Sequence, residues 1–98
     1  MTFSEKVLKL TERIPKGKVA TYKTIAEKLG TKAYQAVGSA LKNNEHPIVI
    51  PCHRVINSDG DIGSYAGIYH NPKKKKLLEE EGITVKGNKI DKKYFHSF

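Results

Sequence analysis

Two short amphipathic segments that meet at Gly30-Thr31 constrain the fold of this chain more than any other feature. Thr21 can cap a helix from Tyr22 to Leu29, and Gly30 is a suitable C-terminal cap for it. Thr31 can cap a second helix from Lys32 to about Asn43, in which apolar residues recur at helical spacing. Two short helices joined in this way predict a helix-turn-helix, whose second helix usually enters a DNA groove. Ordinary helix packing would also explain the small residues of the second helix.

Two further helices are predicted on either side of this pair. One helical face runs from Phe3 to Ile14, and Pro15 ends that helix. A last helix is predicted to begin after Asn71, which is a suitable N-terminal cap, with Pro72 at the first helical position. Gly82 ends this helix. Helices therefore account for most of the regular structure that the sequence predicts.

Short apolar runs predict the extended parts of the chain. Ile48-Val49-Ile50 is expected to be a buried extended segment, since it is short and a proline follows. Val55-Ile56, the turn residues Asn57–Asp61 and then Ile62 suggest a hairpin or wing. The apolar residues after Gly82 fit either a strand or loose packing. We expect residues 1–98 to form a single, mainly α domain of the winged helix-turn-helix type with a small β wing.

The charge balance favours a polyanionic partner. The chain carries 18 Lys and Arg against 10 Asp and Glu, a formal net charge of +8. Nucleic acid is favoured over a membrane, because no basic amphipathic helix with aromatic anchors is present. The run Lys73–Lys76 also fits a merely solvated face. The N-terminus lacks a signal-peptide core, no apolar run is long enough to span a membrane, and the lone cysteine fits a reducing compartment. We expect a monomeric protein that is cytoplasmic and associated with DNA.

The chemistry of the chain is concentrated in Pro51-Cys52-His53-Arg54. A single cysteine cannot form an internal disulfide, and an imidazole and a guanidinium beside it favour the nucleophilic thiolate. A buried, inert thiol is the alternative that these four residues leave open. Cys52 and the four histidines show no metal-finger spacing, and no phosphate-binding glycine loop occurs. We therefore expect neither a metal nor a cofactor.

These residues resemble the DNA-binding, active-site domain of the alkylguanine-DNA alkyltransferases, also called methylated-DNA–protein-cysteine methyltransferases. The most specific match is Ile50-Pro51-Cys52-His53-Arg54-Val55, followed by Gly63-Ser64-Tyr65-Ala66-Gly67. The resemblance covers roughly residues 3–83. Its other matching positions are Thr21-Tyr22, Ala36-Val37-Gly38, Asn44, Leu77-Leu78 and Glu81-Gly82.

The resemblance implies a repair reaction that each molecule performs once. The protein would bind double-stranded DNA in the minor groove and flip an alkylated guanine, such as 6-O-methylguanine, out of the stack. The alkyl group would then pass from the guanine oxygen to Cys52 and remain there as a thioether. Flipping costs least for a damaged, poorly paired base, which contributes to lesion selectivity.

The resemblance also implies a role for each matching residue of the catalytic set. Cys52 would be the acceptor, and His53 would deprotonate it through a water. Glu81 would orient His53 and stabilise its charge, as a carboxylate does in a Ser-His-Asp arrangement. Asn44 would support the turn that holds the thiol. Tyr22 would donate a hydrogen bond to a ring nitrogen of the departing guanine.

A second set of residues would contact the DNA or the flipped base. Tyr65 would contact the guanine oxygen or form a wall of the pocket, and Val55 and Ala66 would contribute backbone contacts. Arg54 could contact either a phosphate or a structural carboxylate. The remaining DNA-contacting candidates are Thr21, Tyr34, Gln35 and Ser39.

Three departures from the family pattern bear on the function. The family has an arginine in the recognition helix that fills the gap left by the flipped base, and Gln35 stands at that position. Lys32 or Lys42 could substitute for its charge, or Tyr34 could act as a wedge. Many members carry an additional N-terminal domain, for which this chain has no room. The segment Tyr69–Lys76 is lengthened and rich in lysine, and it could add phosphate contacts.

Two alternatives to the alkyltransferase remain open. One is a lesion-binding protein of the alkyltransferase-like type, which binds alkylated guanine without transfer and recruits other repair factors. Such proteins typically replace the acceptor cysteine, which this chain retains, whereas Gln35 favours this alternative. The other is a winged-helix DNA-binding protein with an unreactive Cys52 and no preference for damaged DNA.

Overall fold

The computed structural model describes residues 1–44 and 49–98 of the chain. The described part is mainly α, with strands of only two residues each. Its helices are α1 (Phe3–Glu12), α2 (Tyr22–Lys28), α3 (Tyr34–Lys42) and α4 (Pro72–Glu80). Its strands are β1 (Ala20–Thr21), β2 (Val55–Ile56), β3 (Ser64–Tyr65), β4 (Ile68–Tyr69), β5 (Val85–Lys86) and β6 (Lys89–Ile90), with 3₁₀ turns at Cys52–Arg54 and Lys92–Tyr94.

The first and last predicted helices are confirmed. α1 begins with a capping box, in which Thr2 and Glu5 each accept the other's backbone N–H. Of its predicted inward face, Val7 and Leu10 are buried and Phe3 is half-buried, whereas Ile14 is buried two residues beyond the end of the helix. α4 follows the predicted cap, because Asn71 Oδ1 accepts the N–H of Lys73 at 2.9 Å. None of the helices in the described ranges is long and apolar enough to cross a membrane.

The helix pair around Gly30 is present, but its second helix begins later than predicted. α2 starts as expected, with Thr21 Oγ1 accepting the N–H of Thr24 at 3.0 Å. The predicted start of α3 at Lys32 with Thr31 as its cap is wrong. Ala33 has φ −78° and ψ 64°, and the N–H of Tyr34 donates to Lys32 O at 2.8 Å, which is an inverse γ-turn. Because Ala33 is in this turn, its backbone is not helical and the helix cannot begin at Lys32.

The predicted hairpin between Val55-Ile56 and Ile62 does not form. β2 instead pairs in parallel with β1, with Ala20 opposite Val55, and both residues of β2 are fully buried. A strand that is buried on both faces fits a parallel pair better than a half-exposed hairpin. The intervening turn exists, since Asn57 N–H donates to Asp61 O at 2.9 Å, but the N–H of Ile62 donates to Asn88 O.

The hairpin that does form is β3–β4. Ser64 lies opposite Tyr69 and Tyr65 opposite Ile68. Its two turn residues, Ala66 and Gly67, have φ values of +52° and +80°. Positive φ at both positions is the geometry of the two-residue turns that match strand twist.

The buried extended segment before Cys52 is only partly as predicted. Ile48 lies outside the described residues, and Val49 is 80% exposed, so the prediction of burial is wrong for Val49. The segment is held by its backbone instead. Ile50 O accepts hydrogen bonds from Asn44 Nδ2 at 3.0 Å and from Cys52 N–H at 2.7 Å.

The C-terminal residues adopt the strand alternative. β5 and β6 form a hairpin with Val85 opposite Ile90, and Val19 bridges Phe95 in parallel. One apolar cluster joins α1, α2 and α3, and a second joins the C-terminal hairpin to β2 and α4. The Cys52 turn and β2 lie between these two clusters, so both support the segment that carries the thiol.

Candidate active site

A cleft of about 760 Å³ brings together residues from distant parts of the chain. Tyr22 of α2 and Gln35 of α3 contribute to one side. The β3–β4 hairpin, with Tyr65 and Ala66, contributes to the other, and Cys52 also lines the cleft. The cleft therefore joins the helix-turn-helix to the cysteine segment.

The backbone around Pro51 presents the thiol to this cleft. Pro51 has φ −77° and ψ 67°, and the hydrogen bond from Cys52 N–H to Ile50 O closes an inverse γ-turn. The pyrrolidine ring fixes φ near this value in advance. Asn44 bonds the same carbonyl from the end of α3. Cys52 is free and half-buried, so its thiol is accessible from the cleft.

Glu81 holds both residues that follow the cysteine. His53 Nε2 lies 3.1 Å from Glu81 Oε2, and His53 is 1% exposed. Arg54 donates from Nε to Glu81 Oε1 at 2.9 Å and from Nη2 to Oε2 at 2.7 Å. Its Nη1 donates to Ile14 O at 2.8 Å, at the end of the α1 segment. Of the two contacts predicted for Arg54, the structure shows the one with a carboxylate.

Burial and neighbouring charges determine the protonation states of His53 and Glu81. Burial lowers the pKa of His53 and outweighs its hydrogen bond and charge interaction with Glu81. Burial raises the pKa of Glu81, but hydrogen bonds from Arg54 and His53 outweigh it and hold that pKa below its usual value. A neutral His53 thus donates from Nε2 to an ionised Glu81. Its buried Nδ1 is then an acceptor, and it has no partner among the described residues.

Two tyrosines face the thiol as neutral phenols. Burial, followed by the nearby Cys52, raises the pKa of Tyr22 to about 12. Burial also raises the pKa of Tyr65, with further contributions from the charge of Cys52 and a side-chain hydrogen bond to it. The Tyr65 ring meets the His53 ring edge to face, with centroids 6.5 Å apart. Both hydroxyls are therefore hydrogen-bond donors at neutral pH.

Sequence reasoning missed Lys74, which lies behind the thiol. It is fully buried, and its Nζ donates to Val55 O at 2.7 Å and to Ser64 O at 3.0 Å. Burial lowers its pKa to about 7, against opposing effects of Cys52 and Asp61. The run Lys73–Lys76 suggested a solvated face. However, Lys74 lies four residues before Leu78 and seven before Glu81, which is the inward stripe of α4, and this spacing was a usable signal.

The predicted DNA-contacting residues divide between the cleft and the core. Tyr34, Gln35 and Ser39 lie on the exposed side of α3 at the cleft. Thr21 is buried, with its hydroxyl engaged in capping α2. Val55 is also buried. Its N–H donates to Cys52 O and its carbonyl accepts from Lys74, so it lies behind the cleft rather than in its wall.

Residues 2–83 match the family model of the 6-O-methylguanine DNA methyltransferase DNA-binding domain. The chain belongs to this family. Methylated-DNA–protein-cysteine methyltransferases from Methanothermobacter thermautotrophicus and Rattus norvegicus are 44% and 45% identical over 85 and 84 residues, covering 87% and 84% of this chain. Those alignments cover 47% and 40% of the relatives, so the chain spans about half the length of the curated relatives it matches.

Two solved structures that are similar to this chain differ in how much of their own length it covers. S. pombe Atl1, in complex with damaged DNA containing O6-carboxymethylguanine, has a TM-score of 0.87 at 33% identity. That match covers 98% of this chain and 95% of the S. pombe chain. Mycobacterium tuberculosis OGT in complex with DNA has a TM-score of 0.75 at 39% identity, and the match covers 83% of this chain but 50% of the other. Both support the arrangement of helices described above.

Proposed function

We propose that this protein is a DNA repair protein that transfers an alkyl group from 6-O-alkylguanine irreversibly to its own Cys52. The observation that carries the proposal is the position of Cys52, half-buried in a cleft between two neutral tyrosines and next to a buried His53–Glu81 pair. A thiol that was merely structural would not need to face an open cleft beside tyrosine hydroxyls and a buried histidine. We propose that residues 1–98 act as a single domain and as a monomer.

Side chains of this protein can supply the nucleophile, the hydrogen-bond donor and the proton acceptor that the transfer step requires. The sulfur of Cys52 attacks the alkyl carbon, a C–S bond forms and the C–O bond to guanine breaks. The electron pair of the C–O bond passes to the base, whose developing negative charge is stabilised by a hydrogen bond from Tyr22 O–H to a ring nitrogen, and the released guanine then takes up a proton from solvent. The thiol proton passes through a water to the free acceptor Nδ1 of His53. Glu81 stabilises the resulting imidazolium.

The opposing effects on His53 fit a transient rather than a resting imidazolium. Burial favours the neutral ring, so His53 is ready to accept a proton before reaction. Glu81 faces Nε2 and favours the charged ring once the proton has arrived. Arg54 shares the same carboxylate, which limits that stabilisation and favours return of the neutral ring.

The DNA-binding part of the proposal is a winged helix-turn-helix that enters the minor groove. α3 supplies the recognition helix with Tyr34, Gln35 and Ser39 at the cleft, and the β3–β4 hairpin is the small wing. Ile68 and Tyr69 of that hairpin are 58% and 63% exposed, which suits contact with a stacked or flipped base. The net charge of +8 supplies phosphate attraction.

A second candidate function is lesion binding without transfer. Gln35 at the position of the family's arginine favours it, as does the structural similarity to S. pombe Atl1 in complex with damaged DNA. Retention of Cys52 in an accessible position favours transfer. We therefore rank the alkyltransferase first.

The two candidates differ in what happens to the DNA. An excess of duplex carrying one 6-O-methylguanine is incubated with the protein, and the methylated base that remains is quantified after hydrolysis. The alkyltransferase repairs one lesion for each protein molecule and then stops, and Cys52→Ala repairs none. Tight binding of the lesion duplex with no loss of methylguanine would reject transfer and favour the lesion-binding protein.

A further inference from the structure

The wall of the cleft opposite α3 is bracketed by two side chains that face each other. This wall, which we call the cleft wall, comprises residues 63–69, including the β3–β4 hairpin. Asp61 precedes it and His70 follows it. His70 Nε2 lies 2.9 Å from each carboxylate oxygen of Asp61. The two ends of the wall are thus joined by a side-chain contact as well as by the strand pairing.

Backbone groups strengthen this closure. Asp61 Oδ1 accepts the N–H of Gly63 at 2.8 Å, and the N–H of His70 donates to Gly63 O at 3.0 Å. Asp61 and His70 are 13% and 30% exposed, so solvent competes only weakly for their contact. Gly63, the first residue of the cleft wall, is therefore bonded to both bracketing residues.

A third residue reaches this contact from the C-terminal hairpin. Asn88 Nδ2 lies 3.2 Å from His70 Nδ1, and Asn88 O accepts the N–H of Ile62 at 2.9 Å. The amide donates to Nδ1, so Nε2 carries the proton that His70 donates to Asp61. Asn88 lies beyond residues 2–83, the part of the chain that the family model covers.

The backbone at His70 and Asn88 lies in the left-handed region, with φ values of +52° and +63°. Asparagine tolerates this conformation, whereas it is less usual for histidine. Such conformations persist where surrounding contacts fix them. Here the contacts are those among Asp61, His70 and Asn88, together with the ring of Tyr69, which stacks on His70 at 3.9 Å between centroids.

We propose that Asp61, His70 and Asn88 form a clamp that holds the cleft wall in the conformation that receives the flipped base. This inference rests on the lesion binding of the proposed function. The three side chains do not line the cleft in the part of the chain that the structure describes. They act through the wall, and are therefore positioning residues. The clamp also makes the C-terminal hairpin, outside the family-matched region, a determinant of lesion binding.

The first test measures the wall itself and needs no DNA. Amide hydrogen exchange is compared for the wild type, His70→Asn and Asn88→Gly. Asparagine and glycine both tolerate positive φ, so these changes remove the imidazole or the amide without adding backbone strain. We expect exchange of residues 63–69 to accelerate about tenfold while α1 and α3 are unchanged. The control is Lys89→Gln, which lies in the same C-terminal hairpin as Asn88. It removes an exposed ion pair with Asp59 and should leave exchange unchanged.

The second test measures recognition of the lesion. The ratio of affinities for a duplex with one 6-O-methylguanine and for the same undamaged duplex is determined by fluorescence anisotropy. We expect His70→Asn and Asp61→Asn to lower this ratio about tenfold, the double variant to lower it no further, and Lys89→Gln to preserve it. Unchanged exchange, or accelerated exchange with an unchanged ratio, would overturn the clamp. A wild-type protein with no lesion preference would instead overturn the proposed function, and exchange would still decide whether the three residues hold the wall.

Discussion

At the scale of single residues, the site depends on one carboxylate that accepts hydrogen bonds from two side chains. Glu81 accepts hydrogen bonds from His53 and Arg54, and all three side chains are largely shielded from solvent. An ionised carboxylate in this position is stable only because both donors are present. The arrangement couples the proposed proton acceptor to the anchor that ties the Cys52 turn to Ile14. Stability and chemistry should therefore fail together when Glu81 is changed.

Replacing Glu81 with glutamine tests this coupling. We expect the free energy of unfolding to fall by about 2–3 kcal/mol, because the charged hydrogen bonds of Arg54 are lost. The single-turnover rate of methyl transfer should fall roughly 10²-fold or more, because the imidazolium loses its counter-charge. Urea unfolding and rapid-quench kinetics measure the two effects. Glu80→Gln is the matched control on an exposed neighbour, and equal behaviour of the two variants would contradict the role of Glu81.

Lys74 predicts an unusual dependence of stability on pH. Its pKa falls from an ordinary 10.5 to about 7 on folding because the side chain is buried. Below pH 7 it is protonated in both states, and above pH 10.5 it is neutral in both. Between these limits the unfolded chain binds more protons, so this group makes stability rise with pH, by at most about 1.4 kcal/mol per pH unit.

Unfolding in urea at several pH values between 7 and 10 measures this slope. Lys74→Met should remove the contribution, and Lys73→Met, which alters an exposed neighbour, should retain it. The pH slope is the informative quantity, because Lys74→Met also leaves the carbonyls of Val55 and Ser64 without their donor. Parallel pH profiles for the wild type and Lys74→Met would show that Lys74 does not titrate in this range.

At the scale of elements, the strand with which a short segment pairs cannot be predicted from the local sequence. The helices and the caps at Thr21 and Asn71 follow from local patterns, because their hydrogen bonds lie within a few residues. Val55-Ile56 has no period that could distinguish a hairpin from a parallel pair. It pairs with β1, where Ala20 lies 35 residues before Val55. This pairing forms only when the helices between the two strands pack together. Two-residue strands were therefore the least predictable elements.

The turn of the β3–β4 hairpin predicts a stabilising substitution. Ala66 has a φ of +52°, where its Cβ approaches the backbone too closely. Ala66→Gly should raise the free energy of unfolding by about 1 kcal/mol. Ala36→Gly is the matched control, since the same change inside α3 should lower it by a similar amount. Thermal denaturation followed by circular dichroism compares them, and destabilisation by Ala66→Gly would contradict the assigned turn.

The recognition helix predicts a gain from restoring a cation at position 35. Gln35 lies on α3 at the cleft, where the family has an arginine. Gln35→Arg should tighten binding of the lesion duplex about tenfold and steepen its salt dependence by roughly one counterion. Gln35→Lys separates charge from hydrogen-bonding geometry. Glu27→Gln, which adds the same unit of charge on the exposed side of α2 away from the cleft, controls for general cationic effects. Binding that is equal for glutamine and arginine would show that Gln35 does not contact the DNA.

At the scale of the whole molecule, the site depends on segments that meet only in the folded chain. The motif around Cys52 was recognisable from the sequence, and the structure brings Tyr22, Tyr65, His53 and Glu81 to it. Lys74 was missed because the run Lys73–Lys76 resembles a solvated face, although its helical spacing to the buried Leu78 distinguishes it from its neighbours. The C-terminal hairpin was equally hidden, since its contacts with Gly60 and Ile62 are formed by backbone groups.

The central claim is that Cys52 itself accepts the alkyl group, and the mass of the protein tests it most directly. The protein is incubated with a duplex that carries one 6-O-methylguanine, digested, and analysed by mass spectrometry. We predict one added methyl group, located on the peptide that contains Cys52, and none with undamaged duplex or in Cys52→Ala. An unmodified Cys52 peptide from protein that was saturated with lesion duplex would contradict the alkyltransferase.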